Sequence, residues 1–252
     1  EKDTLEDKLM TGVNNVFHLA GYAHDLSNPE EARDRYYNLN VQATKNLATQ
    51  AAENGVEKFI FISSVKAELV NLNDNQKNKN LGIYGATKRE AELELVKLSS
   101  KTNMKIHIVR PSLVYGSGVK GNLLNMRNAI ERGWFPPLPN IKNTKSLIHV
   151  DDLVRAILLV FERGIDQEIY NVTDGQIYTS TEIYETLCRI VKKKPPSLRL
   201  PFFFIKIMTF LPRGIGRRVK KLLDSEEYSS SKIESLGYDA KLRLENFNET
   251  LF

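Results

Sequence analysis

A helix is predicted to open at Ile83-Tyr84-Gly85-Ala86-Thr87-Lys88, directly after a long polar loop. If residues 84–100 are helical, Tyr84 and Lys88 stand four residues apart and share one helix face. A phenol ionises near pH 10, so it exchanges protons at neutral pH only when its ionised form is stabilised. An ammonium about 4 Å away, at an effective dielectric near 20, contributes roughly 4 kcal/mol, or about 3 pKa units. The spacing therefore predicts an acid/base tyrosine whose pKa is lowered by Lys88.

Strand and helix patterns alternate along the chain. Short apolar runs predict strands at 13–19, 56–62, 105–109 and 168–172, and helical patterns occur at 29–54, 84–100, 122–132, 151–163 and 180–192. Strands that alternate with helices at this spacing predict an α/β fold with a parallel sheet covered on both faces. The ligand is then expected at the carboxyl ends of the strands.

Composition excludes several classes of protein. A chain of 252 residues with 41% apolar and 27% charged residues is typical of an ordinary globular protein. The single Cys188 excludes an internal disulfide and a cysteine metal cluster. The net charge of +5 is too diffuse to indicate nucleic-acid binding. No signal peptide or membrane-spanning segment is visible, so we expect a cytoplasmic protein.

The bare Y-x-x-x-K spacing is common on solvated helix faces, but it stands here within a larger set of motifs. The others are His18-Leu19-Ala20, Asn40-Val41 with Thr44, Phe61-Ile62-Ser63-Ser64, Arg110-Pro111-Ser112-Leu113-Val114-Tyr115-Gly116 and Leu147-Ile148-His149-Val150-Asp151-Asp152-Leu153. Together and in this order they resemble the extended short-chain dehydrogenases. Within that family the chain is most similar to the nucleotide-sugar epimerases, dehydratases and 4-keto reductases. The implied fold is a Rossmann-like doubly wound parallel sheet with a small C-terminal α/β substrate lobe.

The resemblance implies a set of catalytic roles. Tyr84 would pass a proton to or from a sugar hydroxyl, and Ser64 would hydrogen-bond the same sugar oxygen. Lys88 would hold the nicotinamide ribose and lower the pKa of Tyr84. Hydride would move between the sugar carbon and a nicotinamide ring, which is chemistry of the cofactor.

The implied cofactor is NAD or NADP, and the implied substrate is a UDP-hexose or UDP-N-acetylhexosamine. The cofactor contacts implied by the motifs are His18, Leu19, Ala20, Asn40, Ser63, Tyr84, Lys88, Pro111 and Ser112. The implied substrate contacts are Ser64, Lys66, Leu113, Asn122, Leu123 and Lys145. Asn40 could equally be a polar residue on an outward helix face. Ser63 is expected to be structural, because only one of two adjacent strand residues faces the site.

Three matches carry qualifications. Lys145 stands where relatives often have an arginine, so it keeps the charge but loses the bidentate geometry for phosphate. Lys66 argues against a dehydratase, because such relatives carry an acidic pair after the serine or threonine. His149 is expected to be a buried residue at a helix entry.

The predicted division assigns 1–115, with 144–172, to a partial NAD(P)-binding domain, and 116–143 with 173–252 to the substrate lobe. No glycine-rich turn precedes Val13, so we expect roughly 60 to 70 further residues at the amino end of the complete enzyme. The literal G-x-G-x-x-G match at 116–121 lacks the acidic residue expected beyond it. It is interpreted as a flexible loop over the substrate, and the polar stretch 71–80 as a mobile surface segment.

Several functions remain open at this point. Epimerase and 4-keto reductase share the same catalytic residues, and a dehydrogenase of the hydroxysteroid type or a non-catalytic dinucleotide or nucleotide-sugar sensor are the alternatives. The resemblance also implies a homodimer formed through the helices that begin near Pro29 and Tyr84. The apolar run 202–210 and the basic run 213–221 are expected to pack as part of the lobe, rather than to lie on a membrane surface.

Overall fold

The computed structural model describes residues 10–23, 29–68, 82–118, 121–195, 200–211 and 215–246. The strands are β1 (Asn15–His18), β2 (Lys58–Ile62), β3 (Lys105–Pro111), β4 (Leu113–Tyr115), β5 (Lys145–His149), β6 (Ile169–Val172) and β7 (Ile177–Tyr178). The helices are α1 (Pro29–Tyr37), α2 (Ala43–Glu53), α3 (Ile83–Ser99), α4 (Asn122–Glu131), α5 (Val150–Arg163), α6 (Ser180–Ile190), α7 (Phe202–Met208), α8 (Ile215–Leu223) and α9 (Ser231–Glu234). A π-helical turn, Asn38–Gln42, joins α1 to α2, and 3₁₀ turns occur at Val65–Ala67 and Leu244–Asn246.

The chain divides into two compact units. The first contains Glu1–Pro111, Arg155–Val172 and Ser230–Tyr238, and the second contains Ser112–Val154, Thr173–Ser229 and Asp239–Phe252. The predicted division placed 112–115 and 144–154 with the first unit and 230–238 with the second, whereas the contacts group these segments the other way. The assignment of one unit to the cofactor and the other to the substrate stays a prediction.

The first unit is built on a parallel sheet in the order β1-β2-β3-β6. One face is covered by α2 and α3, whose Ala51 and Leu95 pack against Phe59 and Ile106. The opposite face is covered by α5, since Phe161 lies 5.3 Å from the ring of Phe17. This confirms the predicted doubly wound α/β fold.

Strand β3 extends two residues further than predicted. Arg110 and Pro111 pair with Asn171 and Val172 of β6, so both residues belong to the strand and Pro111 is its last residue. A proline is tolerated at such a position because it lies at the last residue of the ladder. The loop after β3 consequently begins at Ser112.

The predicted helix 29–54 is interrupted by the π-helical turn. Such turns insert one extra residue into a helix and occur often at functional sites. Here the turn contains Asn40 and Val41, both of which are buried, between two helices that expose most of their charged residues.

The second unit contains a sheet that the sequence analysis did not predict. Strand β5 pairs in parallel with β4 and antiparallel with β7. Its core combines residues of the sheet and of the helices, including Leu123, Leu147, Tyr178 and Leu187. Helix α6 begins with a capping box, in which the Thr179 side chain accepts from the Glu182 amide and the Glu182 carboxylate accepts in return.

Some predictions fall outside the described residues. These are the mobile segment at 71–80 and part of the glycine-rich loop at 116–121. Among the residues that are described, no helix is both long enough and apolar enough to cross a bilayer.

The first turn of α3 packs tightly against the 3₁₀ turn after β2. A Cβ atom added to Gly85 would lie 2.6 Å from the backbone carbonyl oxygen of Lys66. No side chain fits at that distance, so glycine is required for the two turns to meet.

We therefore expect Gly85→Ala to lower the free energy of unfolding, although alanine is the better helix former by about 1 kcal/mol. Overpacking of this kind costs about 1 to 3 kcal/mol, which exceeds that gain. Urea unfolding measures the net effect. Glu90→Ala, at an exposed position of the same helix, is the control and should stay within about 0.5 kcal/mol. A stabilised Gly85→Ala variant would show that the two turns can separate freely.

Candidate active site

Ser64 and Tyr84 meet at the carboxyl end of β2. Ser64 follows the strand and caps the 3₁₀ turn, since its Oγ accepts from the Lys66 amide at 3.3 Å. Hydrogen bonding by the Ser64 side chain is one of the influences on the Tyr84 pKa, and it lowers that pKa. Two of the three predicted catalytic residues are thus neighbours.

The Lys88 ammonium is held inside the same unit. Its Nζ donates to the Ile62 carbonyl oxygen at 2.9 Å and lies 4.6 Å from the centre of the Phe61 ring. Burial lowers the pKa of Lys88 to about 8, and the negative charge of Glu92 opposes that shift. Lys88 is therefore a buried cation that can lose its proton just above neutral pH.

The pKa of Tyr84 is raised, which contradicts the predicted lowering by Lys88. Burial is the largest cause, the nearby Tyr36 adds to it, and the hydrogen bond from Ser64 opposes it. The prediction treated the ammonium as pointing at the phenol, whereas it donates to the strand carbonyl of Ile62. In the chain on its own, Tyr84 is therefore a protonated phenol.

Asn40 connects three segments around the site. Its side-chain oxygen accepts from the Tyr22 amide at 2.6 Å, and its side-chain nitrogen donates to the Tyr22 carbonyl and to Thr87 Oγ1, both at 3.1 Å. Asn40 is buried. The alternative of an outward polar residue is therefore wrong, and the π-helical turn is what directs Asn40 inward.

His18 ends β1 as a neutral, buried imidazole. Its Nε2 lies 2.8 Å from Thr44 Oγ1, and its ring stacks on Phe61 with centroids 5.6 Å apart. Burial, followed by the charge of Lys88, lowers the pKa of His18 to about 4. The Leu19 and Ala20 side chains that follow are exposed.

Gly21 leaves room for the lysine. A Cβ atom there would lie 2.8 Å from Lys88 Nζ and 3.6 Å from the Asn40 side-chain oxygen. Gly21 thus brings bare backbone against the buried cation.

A buried carboxylate lies behind the site, and the sequence analysis missed it. Glu92 is fully buried and accepts from Arg110 Nε at 2.8 Å and from Arg110 Nη2 at 2.6 Å. It also accepts from Ser63 Oγ at 2.6 Å and from Arg89 Nη1 at 3.0 Å. One side chain therefore joins α3 to the ends of β2 and β3. The available signal was its spacing, because Glu92 follows Lys88 by four residues on one helix face.

The remaining residues predicted for the first unit have these positions. Ser63 points to Glu92, away from the Ser64 hydroxyl. Lys66 is partly buried in the turn after Ser64, and Pro111 is buried at the end of β3. Their predicted contacts with cofactor or substrate stay predictions.

The predicted residues of the second unit differ in exposure. Leu113 and Asn122 are exposed, whereas Leu123 is buried in the core, so only its backbone is available to a ligand. Lys145 Nζ donates to the Lys221 carbonyl at 3.0 Å and lies 3.8 Å from the Glu226 carboxylate. Ser112 is buried, and its hydroxyl has no hydrogen-bond partner within the described part of the chain. His149 is buried directly before α5, as expected for a helix entry.

The chain belongs to the NAD dependent epimerase/dehydratase family, whose model matches residues 1–173. A UDP-glucose 4-epimerase of Vibrio cholerae is 32% identical over 203 residues, which is 76% of this chain. The chain spans 61% of the length of that relative. An N-acetyl-alpha-D-glucosaminyl-diphospho-ditrans,octacis-undecaprenol 4-epimerase of Escherichia coli O157:H7 is 27% identical, over 94% of this chain and 76% of its own length.

Solved structures share the fold. The UDP-glucose 4-epimerase of Thermotoga maritima, solved with UDP-glucose, superimposes with a TM-score of 0.72 at 23% identity. The match covers 96% of this chain and 78% of that structure. The recognised family therefore agrees with the resemblance drawn from the motifs.

The Glu92 network yields a prediction about stability. Glu92→Gln leaves the Arg110 guanidinium buried without its countercharge, so the free energy of unfolding should fall by about 3 to 5 kcal/mol. The control is Glu94→Gln on the same helix, because Glu94 pairs with Lys45 and Lys97 at the surface. Loss of such an exposed pair costs about 1 kcal/mol or less. Urea unfolding of the two variants measures the contrast.

The same variant tests the charge balance at Lys88. Because the Glu92 carboxylate raises the pKa of Lys88, Glu92→Gln should lower that pKa below about 8. The rate of Lys88 acylation against pH, followed by peptide mass spectrometry, reports the midpoint. A midpoint that stays unchanged in the folded variant would contradict electrostatic coupling between the two residues.

The neutral state of His18 predicts a loss of stability in acid. Its pKa is about 4 in the folded chain, against about 6.5 for an ordinary histidine side chain. Between these two pH values His18 is protonated in the unfolded chain but not in the folded chain. The free energy of unfolding therefore rises with pH, and stability is lost as the pH falls. We expect wild type to lose about 2 kcal/mol more than His18→Gln between pH 7 and pH 4.5. Equal losses in urea unfolding would place the acid sensitivity elsewhere.

Proposed function

We propose that this chain is the catalytic part of an NAD-dependent 4-epimerase that acts on a UDP-linked hexose or N-acetylhexosamine. The observation that carries the proposal is the grouping of the buried Ser64 and Lys88 with the partly buried Tyr84 at the carboxyl end of a parallel sheet. The names of the 4-epimerases of Vibrio cholerae and Escherichia coli support C4 epimerisation over the 4-keto reductase alternative.

The residues present fit the nicotinamide ribose end of NAD. Lys88 supplies a buried cation at the strand ends, and Gly21 leaves its neighbourhood without a side chain. Asn40 holds the backbone at Tyr22 beside them. Residues that would seat the pyrophosphate are not among those that the structure describes. When bound, the nicotinamide would take a hydride from the sugar carbon and return it.

The roles of the chain's own groups follow from their contacts. Tyr84 is the group that would exchange a proton with the sugar C4 hydroxyl, and Ser64 would orient the same oxygen because its side chain is close enough to influence the Tyr84 pKa. Lys88, held on Ile62, would bind the ribose hydroxyls. Its pKa of about 8 means that the cation is present at neutral pH and is lost in base.

Residues of the second unit are proposed to bind the substrate. Asn122 begins α4 at an exposed position, and Lys145 keeps a positive charge within that unit. We propose that they, with the backbone at Leu123 and with Leu113 and Lys66, bind the sugar nucleotide. We also propose, from the family resemblance, a homodimer that is formed through α1 and α3.

A second candidate substrate is a sugar diphosphate attached to a lipid. The Escherichia coli relative, whose name specifies a diphospho-undecaprenol substrate, aligns with 94% of this chain. The observation in this chain that favours it is the exposed phenylalanine-rich helix α7. The same three catalytic residues would serve both substrates.

The test is Tyr84→Phe in the full-length protein, assayed for interconversion of UDP-GlcNAc and UDP-GalNAc, and of UDP-glucose and UDP-galactose. General acid/base groups typically contribute about 10² to 10⁴ in rate, so turnover should fall by about that factor while NAD is still bound. Tyr37→Phe is the matched control, because Tyr37 is a partly exposed tyrosine that accepts from Gln42. It should keep wild-type turnover.

Two outcomes would overturn the proposal. Wild-type turnover in Tyr84→Phe would remove the tyrosine from the mechanism. Tight binding of NAD and UDP-sugar by wild type, with no turnover of either substrate pair or of the lipid-linked sugar, would favour the sensor alternative.

A further inference from the structure

Helix α7 and the residues after it expose a continuous set of large apolar side chains. We call this set the aromatic patch. Its members, with their exposed fractions, are Phe202 (48%), Phe203 (66%), Phe204 (54%), Ile207 (47%), Phe210 (85%) and Leu211 (43%). Large apolar side chains that are exposed as a contiguous group mark an interaction surface.

The patch is not an unfolded segment, because its inner side is packed. Ile205 is buried at 1% exposure in the core of the second unit, and Met208 packs against that core. From the sequence, the whole run is expected to pack within the lobe. Only the side of α7 that carries Ile205 and Met208 packs against the core. The helix has apolar side chains on more of its circumference than the core of the second unit covers.

A basic surface adjoins the patch. Helix α8 contacts α7, turns Val219, Leu222 and Leu223 toward the core, and exposes Arg218, Lys220 and Lys221. Lys206 is exposed on α7 itself. The sequence from 200 to 223 contains no aspartate or glutamate. Within 200–223 the exposed aromatic rings are therefore accompanied by positive charges and by no negative ones.

We propose that the aromatic patch and the basic face of α8 dock this protein on an anionic lipid bilayer surface. Aromatic side chains suit the boundary between headgroups and acyl chains, and lysines and arginines attract anionic headgroups. A second copy of the chain fits less well, because a twofold contact would set this positive surface against itself.

Helix α7 is too short to cross a bilayer, so the proposed position of the helix is on the bilayer surface. Helix α7 contains 7 residues, and a helix of that length spans about 10 Å, against about 30 Å for the hydrocarbon core. The proposed contact is therefore peripheral and reversible, and salt should weaken it. It does not rest on the proposed function.

The experiment is co-sedimentation of the full-length protein with two kinds of vesicle, phosphatidylcholine alone and phosphatidylcholine with 30% phosphatidylglycerol. We expect binding to the anionic vesicles that falls as salt is raised, and weak binding to the neutral ones. Phe203→Ser with Phe210→Ser should reduce the partition coefficient at least tenfold, since burial of one phenylalanine is already worth about that factor. Arg218→Gln with Lys220→Gln should reduce binding to anionic vesicles only.

Trp134→Ser is the matched control. Trp134 is 85% exposed, as Phe210 is, and lies in the same unit outside the two helices. It should bind as wild type does. Equal losses in Trp134→Ser and in the phenylalanine variant would show general stickiness and overturn the proposal.

Two further measurements separate the alternatives. If the phenylalanine variant changes the sedimentation coefficient of the protein but not its vesicle binding, the patch is a protein interface and the proposal is wrong. Tyr84→Phe should bind vesicles as wild type does whatever its turnover. If the proposed epimerase activity is not observed, the vesicle-binding experiment still tests the membrane proposal independently.

Discussion

Glu92 is the constraint on which the first unit depends. A carboxylate with no exposed surface is costly unless every oxygen is paired, and here Arg110 supplies two donors while Ser63 and Arg89 supply one each. The donors come from α3, from the end of β3 and from the residue after β2. The pairing therefore sets the distance between the helix that carries Tyr84 and the strand that leads to Ser64.

Burial leaves the ionisable groups of the site with shifted pKa values. Lys88 donates to a strand carbonyl and has a lowered pKa, while Tyr84 has a raised one. Both shifts have burial as their largest cause, and at neutral pH they leave Lys88 charged and Tyr84 neutral. Charge that arrives with a ligand would then act strongly on both groups, because few solvent or protein charges compete with it.

The sequence was sufficient for the features that depend on local pattern and order of motifs. The parallel sheet, the helix that carries Tyr84 and Lys88, and the family were all predicted, and the structure and the relatives confirm them. Spacing along a helix places Tyr84 and Lys88 on one face, but it does not specify where the ammonium group of the flexible lysine side chain lies. The predicted lowering of the Tyr84 pKa was wrong for this reason, because the Lys88 ammonium donates to the Ile62 carbonyl oxygen. The burial of Glu92 and the sheet formed by β4, β5 and β7 depend on contacts between distant segments. No local pattern encodes those contacts.

The π-helical turn at Asn38–Gln42 has a consequence for how this chain can change in length. The turn holds one residue more than an α-helix would need, and each residue of an α-helix rotates the chain by about 100°. Because a π-helical turn uses one residue more than an α-helical turn for a similar rotation, deleting a single residue there would let α1 and α2 fuse into one regular helix while Tyr36 stays beside Tyr84, whose ring is 6.4 Å away. What would be lost is the wide turn from which Asn40 reaches Tyr22 and Thr87. The extra residue therefore matters for these contacts of Asn40 and not for the course of the two helices.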